Sequence, residues 1–149
     1  SSDLSHIALP ERIDLELSHH YGIDKFREWG AAILNCINRE YCKKLIILLP
    51  GQRHPYHNHI KKEETFHVLY GSMEILIGKE HKTLKAGDML TVERKTGHSF
   101  SSKDGVIFEE VSTTHYKEDS FYKDNKISKN KDRKTQMTFY SDWLCKEIR

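Results

Sequence analysis

The chain has 149 residues, of which 37% are hydrophobic, and its 24 basic and 22 acidic residues leave a formal net charge of +2. A chain of this length folds as one compact unit that hides about two-thirds of its unfolded surface. Nearly balanced charge argues against a nucleic acid or a membrane as partner. We therefore predict a single domain over residues 1–149.

The three cysteines, Cys36, Cys42 and Cys145, have no CxxC spacing. This usage is typical of reduced thiols in a cytoplasmic protein. No run of 18 apolar residues and no charged-then-apolar leader occurs, which favours a soluble protein that is not exported. The first residue is Ser1 rather than methionine, so we expect a domain of a longer polypeptide.

Residues 1–30 form a predicted N-terminal arm. Within it, residues 12–18 alternate apolar and polar side chains, which predicts a half-buried strand. Residues 23–29 (IDKFREW) predict a short helix that ends at Gly30.

The middle of the chain is a series of short β-rich segments separated by turn residues. The segments are residues 31–37, 44–49, 64–70, 73–77, 89–92, 98–101 and 106–111. The predicted turns include Pro50-Gly51, Gly71-Ser72, Gly87-Asp88 and Asp104-Gly105. Many short strands at this spacing predict an all-β antiparallel sandwich or barrel.

A basic segment follows at residues 123–136, which contains a single aliphatic side chain, Ile127. We predict a solvated, mobile loop there, with contact to an anion as the alternative. Residues 138–144 (TFYSDWL) regain aromatic side chains and are expected to pack back onto the barrel.

The segment HNHIKKEETFHVLYG at residues 57–71 carries the most chemical information. On a strand, residues two apart point to the same side about 6–7 Å apart, so His57 and His59 can reach one ion at about 2.0–2.2 Å. Glu64 on the next strand and His98 on a later one could complete the set. Three imidazoles and a carboxylate suit Mn, Fe, Ni, Co or Zn, whereas a His-x-His pair alone is more often a pair of exposed polar residues.

Gly51, His57, His59, Glu64 and Gly71 resemble the first cupin motif, Gly-x5-His-x-His-x4-Glu-x6-Gly. Gly87 and His98 resemble the second motif, although Glu93 and Lys95 stand where proline and glycine are usual. The resemblance implies a cupin jelly-roll β-barrel that holds a divalent metal in its mouth and forms a homodimer.

Lys62, between two of these ligands, and Glu110, in the later segment VIFEEVS, form a predicted acid and base pair. Metal, acid and base are what the conversion of an aldose into a ketose requires. The run HNHIKKEE and the segment EEVSTTHYKEDSFY resemble D-lyxose isomerases, in which the metal is typically manganese. The resemblance implies a sugar or sugar phosphate isomerase with catalytic Lys62 and Glu110. His67 and Tyr70 are weaker candidates.

Two other functions stay open. The strings LSHHYGIDKFREWG and INREYCKKLIILLPGQRHPYH resemble a cupin domain at the C-terminal end of some bacterial N-acetylneuraminate (sialic acid) synthase-type proteins, which implies a sugar-binding or regulatory domain without turnover. Two histidines and a carboxylate also suit a non-haem iron oxygenase.

Some other side chains receive individual interpretations. His19, His20 and His54 are expected at the surface or in turns. His115 is either a substrate contact or solvated, and the forked donors of Arg53 could hold an anion.

Overall fold

Eleven strands, one 3-10 turn and one short helix make up residues 7–140, the part of the chain that the computed structural model describes. The first half comprises β1 (Arg12–His19), the 3-10 turn (Ile23–Lys25), β2 (Gly30–Asn38), β3 (Tyr41–Leu48), β4 (Arg53–Asn58) and β5 (Glu64–Ile77). The second half comprises β6 (Glu80–Lys85), β7 (Met89–Val92), β8 (His98–Ser101), β9 (Val106–Thr113), β10 (Phe121–Tyr122), α1 (Asn125–Lys129) and β11 (Lys134–Tyr140).

The strands form an antiparallel jelly roll in which β5 belongs to both sheets. One sheet has the order β11-β1-β2-β3-β9-β5-β7 and the other has the order β10-β4-β8-β5-β6. The predicted all-β cupin barrel is confirmed. The short helix predicted for residues 23–29 is present only as the 3-10 turn, since residues 26–29 are not helical.

The predicted turn at Gly71-Ser72 is wrong, because the chain passes through both residues as a single strand. Residues 64–71 of β5 pair with β9, and residues 72–77 pair with β6. The strand changes sheets at Gly71, whose φ is 76°. A Cβ there would collide with the carbonyl oxygen of Gly105. Glycine is needed because this bend combines a left-handed φ with a close backbone approach.

The barrel interior contains the main apolar core, and a second apolar cluster lies on the outer face of the first sheet. The main core is built by Ala31, Ile33, Ile46, Leu48, Phe66, Val68, Met73, Ile75, Leu84, Val92, Phe100, Val106 and Phe108. On the outer face, Ile13 packs with Leu34 and Leu45. Ile13 and Leu15 of β1 therefore face outward, and the residues alternating with them, Glu16 among them, face the interior.

The basic segment at 123–136 is not the mobile loop that its composition predicts. Residues 125–129 form α1, whose N-cap Asp124 accepts a hydrogen bond from the backbone N–H of Lys126. Ile127 is fully buried, and the segment leads directly into β11, which pairs with β1. The segment is polar overall, but its one aliphatic side chain is buried and holds the segment against the rest of the protein. Residues 141–144 of the aromatic segment lie outside the described residues.

We expect Ile127→Ala to lower the free energy of unfolding by about 2–5 kcal/mol, because it removes buried methyl groups and leaves a cavity. Ile23→Ala is the matched control: this side chain is 63% exposed, and its loss should cost less than about 0.5 kcal/mol. Urea unfolding of both variants measures the difference. Equal effects would mean that α1 is not anchored through Ile127.

No helix within residues 7–140 is long and apolar enough to span a membrane.

Candidate metal centre and adjoining pocket

The four predicted metal ligands come together where the two sheets meet. His57 on β4 pairs in register with His98 on β8, and His59 follows the last residue of β4. Glu64 is the first residue of β5. Their side chains offer donor atoms that all lie within 4.8 Å of one another. Four donors at this spacing could hold a single ion.

All four side chains are removed from solvent, with 6% exposure at most. The Nε2 atom of His98 lies 2.8 Å from Oε1 of Glu64, and Nε2 of His59 lies 3.6 Å from the same oxygen. The donor atoms therefore converge on one interior point.

Backbone carbonyls orient each imidazole. The Nδ1 atoms of His57, His59 and His98 donate to the carbonyl oxygens of Pro55 (2.9 Å), Asp119 (2.7 Å) and Thr96 (3.0 Å). A carbonyl only accepts, so the proton is on Nδ1 in each ring and the lone pair of Nε2 is free. This is the tautomer that metal-binding histidines adopt.

The imidazoles of His57 and His59 are also held neutral, as metal ligation requires. Burial lowers the pKa of His57 well below its usual value, and the neighbouring rings of His98 and His59 add to the effect. Burial, followed by the charge of Lys62, lowers the pKa of His59 to about 4.

Glu64 is the charged member of the set. Burial alone would raise its pKa, but Lys62 and the imidazoles hold the pKa well below the usual value. Its Oε1 and the Nε2 of His98 have no hydrogen-bond partner within the described part of the chain, although they lie 2.8 Å apart. Two lone pairs at this distance repel each other unless a cation lies between them. The residues therefore fit a divalent metal.

Lys62 and Glu110 lie beside this cluster. The Nζ atom of Lys62 is 3.0 Å from Oε2 of Glu64 and 3.3 Å from Oε2 of Glu110. Burial opposes the charge on Lys62, but the two carboxylates outweigh it and raise the pKa above the usual value. Burial raises the pKa of Glu110, and the negative charge of Glu64 adds to the rise. A cationic acid and a carboxylate of raised pKa thus adjoin the metal ligands.

Asp119, which sequence reasoning missed, fixes the loop that carries Lys62. Its carboxylate accepts hydrogen bonds from the backbone N–H groups of Ile60, Lys61 and Lys62 at 2.9–3.1 Å. Its own carbonyl oxygen holds His59. No motif marks this role, because the contacts bridge about 60 residues of sequence.

A pocket with about 510 Å³ of empty space opens beside the cluster. His57, His59, Glu64, Lys62 and Glu110 line one part of it. Other polar residues of the lining come from elsewhere in the chain and were not predicted. They are Glu16, Ser18, Lys44, Ser120, Tyr122 and Lys134. His115, for which two interpretations were open, also lines this pocket.

The expectation of a surface or turn position is wrong for His19 and His54, which lie on β1 and β4 and are 4% and 9% exposed. His20 does lie in the turn after β1, but it is only 1% exposed. His20 packs against His54, and His54 against His57, with ring centroids 4.5 Å apart in both pairs. Burial lowers the pKa of His20 to about 4, so the ring is neutral. Of the three, His54 packs directly against the ring of a predicted metal ligand, His57.

The other predicted contacts lie elsewhere. Arg53 is exposed, and its guanidinium lies 4.2 Å from the ring centroid of Trp29. His67, Tyr70 and Arg53 do not line the pocket beside the metal ligands. Arg53 is therefore not placed to hold an anion there.

The departure from the second cupin motif at Lys95 leaves the turn intact. Lys95 adopts a φ of 67°, the left-handed conformation that glycine reaches without strain. Its N–H donates to the carbonyl oxygen of His59 at 2.6 Å. The turn therefore still delivers His98 to the cluster, at a cost in backbone strain.

The strands form a jelly roll, and the middle of the chain matches a family model. The model described as "Cupin domain" matches residues 44–109, which contain five of the six predicted site residues and end one residue before the sixth, Glu110.

Individual relatives are sugar isomerases. A curated protein named D-lyxose/D-mannose isomerase, from Thermosediminibacter oceani, is 26% identical over 148 residues, which cover 80% of this chain and 81% of the relative. The solved L-ribose isomerase of Geodermatophilus obscurus superposes with a TM-score of 0.68 at 16% identity, over 76% of this chain and 81% of that one. The L-ribose isomerase of Cellulomonas parahominis, solved with no ligand, gives 0.67 at 19% identity over the same shares.

Proposed function

We propose that this protein is a metal-dependent isomerase that interconverts an aldose and a ketose, either as free sugars or as sugar phosphates. One observation carries the proposal: a His3Glu donor set and the ion-paired Lys62 and Glu110 line the same pocket. The similarity to a D-lyxose/D-mannose isomerase supports the substrate class.

His57, His59, Glu64 and His98 are the proposed ligands of the metal. When bound, a divalent ion supplies Lewis acidity that polarises the carbonyl and the neighbouring hydroxyl of the sugar. The donor set mixes nitrogen and oxygen without thiolate, which suits Mn, Fe, Ni, Co or Zn. Manganese is the metal we propose first, because the resemblance to D-lyxose isomerases implies it.

Glu110 is the proposed base. As a carboxylate it removes the proton from C2 of the aldose and then returns it to C1. The raised pKa of Glu110 suits this step, since a base is most effective when its pKa approaches the working pH. The burial of Glu110 keeps competing water away from the carboxylate.

Lys62 is the proposed acid. Its ammonium group donates a proton to O1 as the C2 proton leaves, and it recovers a proton from the O2 hydroxyl as the ketose forms. The sum is one hydrogen moved from C2 to C1 and one from O2 to O1. Both carboxylates hold Lys62 in its charged form, and the hydrogen bond that its backbone N–H donates to Asp119 fixes its position.

Deuterium exchange tests the proposal directly. The manganese-loaded protein is incubated in D2O with D-lyxose, D-mannose, L-ribose, and the phosphates of the first two. We expect NMR to detect conversion of at least one of these sugars, with deuterium at C1 of the ketose that forms. Chelation of the metal should stop both the conversion and the exchange.

Saturable binding of a sugar without conversion or exchange would contradict the proposal and favour the non-catalytic sugar-binding domain. Oxygen consumption by the iron-loaded protein would favour the oxygenase instead. A homodimer, a cytoplasmic location and a single domain over residues 1–149 stay predictions that accompany the proposal.

A further inference from the structure

The pocket has a second charged wall, opposite the sheet that carries His57 and His98. Lys44 on β3 and Lys134 on β11 reach this wall from the first sheet, together with Glu16 on β1. Neither the metal cluster nor the acid and base pair uses these three side chains.

Lys44 is a buried ammonium group without a carboxylate of its own. It is 8% exposed and has no acidic oxygen within 4.0 Å among residues 7–140. Its cross-strand neighbour is Glu110, but that carboxylate already lies 3.3 Å from Nζ of Lys62. A buried charge that lacks a partner is unfavourable, so Lys44 gains from an added anion.

Lys134 is only partly neutralised. Its Nζ lies 3.5 Å from Oε1 of Glu16, and the other oxygen of Glu16 accepts a hydrogen bond from the hydroxyl of Ser18. Burial lowers the pKa of Lys134, and the positive charges of Lys44 and Arg133 lower it further despite Glu16. Lys44 and Lys134 line the same pocket, so an anion bound there would face both positive charges.

The formal charge of the whole pocket also favours an added anion. Three lysines (Lys44, Lys62 and Lys134) and three glutamates (Glu16, Glu64 and Glu110) line it within the described residues, so their formal charges cancel. The proposed divalent ion brings the total to +2. Glu64 and Glu110 both lie beside Lys62, which leaves Glu16 as the remaining carboxylate for Lys44 and Lys134.

We propose that Lys44 and Lys134 bind an oxyanion, a phosphate or a carboxylate, carried by the sugar at the end remote from the reacting carbons. This inference rests on the proposed function, because the metal side then holds C1 and C2. A neutral sugar offers hydroxyl groups, which would leave the ammonium of Lys44 unneutralised. An oxyanion accepts hydrogen bonds from both lysines.

Three hexoses with one skeleton test the inference: D-mannose, D-mannose 6-phosphate and D-mannuronate. Titration calorimetry measures the dissociation constant of each with the manganese-loaded protein, independently of turnover. We expect at least one of the two anionic sugars to bind about tenfold or more tightly than D-mannose, as a charge-assisted hydrogen bond to each lysine implies. The two anionic arms decide between phosphate and carboxylate.

The matched variants are Lys44→Gln and Lys134→Gln, with Lys43→Gln as control. Lys43 precedes Lys44 on β3, faces the other side of the sheet and pairs with Glu109 at 47% exposure. We expect either pocket variant to reduce the preference for the anionic sugar about tenfold, and the control to preserve it.

The outcomes separate this inference from the proposed function. A lysine-dependent preference for an anionic sugar without isomerisation would support the anion site and contradict the isomerase. Isomerisation with no anion preference, or a preference that Lys44→Gln and Lys134→Gln leave unchanged, would overturn the anion site alone.

Discussion

Glu110→Gln is expected to lower kcat by about 10²–10⁴-fold, the usual contribution of a positioned general base, while the metal stays bound. The amide keeps the volume of the carboxylate and an oxygen that can accept a hydrogen bond from Lys62, but it cannot take a proton from carbon. The donor set is untouched, so elemental analysis should find the same metal content as in the wild type. Deuterium entry from D2O should fall with kcat.

The matched control is Glu109→Gln. Glu109 precedes Glu110 on β9 but faces the other side of the sheet, where it pairs with Lys43 at 3.2 Å. An exposed ion pair contributes at most about 1 kcal/mol, so the control should retain normal kcat and metal content. Wild-type turnover in Glu110→Gln would refute the assignment of the base, whereas a loss of metal would mean that Glu110 acts through the metal site.

His98→Asn should weaken metal binding at least about a hundredfold, because removing a ligand costs more than the 10–100-fold typical of outer partners. His98 is fully buried and faces Glu64, and the shorter asparagine withdraws the nitrogen from the cluster. Competition with a metal-sensitive chelator dye gives the affinity. His67→Asn on β5 is the matched control, since His67 does not line the pocket.

Thermal unfolding separates metal loss from misfolding. A metal that binds only the folded state raises the melting temperature by mass action. The wild type and His67→Asn should therefore gain stability when manganese is added to the metal-free protein, and His98→Asn should not. A normal gain for His98→Asn, together with unchanged affinity, would place the ion elsewhere.

Local spacing predicted the candidate metal site well because most of it is local. His57, His59 and Glu64 lie within eight residues and are separated by one strand end and one short loop, so their spacing constrains their geometry. Glycine at position 71 could be anticipated for a similar reason, but not the conformation it serves. A turn and a strand that changes sheets both call for a left-handed residue, and only the pairing with β9 and β6 distinguishes them.

Alternation along β1 predicted a strand without predicting which side faces inward. The apolar residues Ile13 and Leu15 pack on the outer face with Leu34 and Leu45. The polar residues Glu16 and Ser18 line the pocket instead. Period-two patterning identifies two faces, and what each face contacts depends on the remaining strands.

The sequence by itself determined the fold class and the four candidate ligands, because turn residues, strand periodicity and motif spacing can be read along the chain. The pairing of Lys62 with Glu110, which are 48 residues apart, was a hypothesis from the chemistry and the family resemblance. Only the tertiary structure decided which other side chains line the pocket. Lys44, Glu16 and Lys134 come from three strands that are far apart in the chain, and Asp119 reaches the loop of Lys62 from a distant segment. The curled sheet brings them together, and a one-dimensional pattern does not record which distant strands a sheet places near one another.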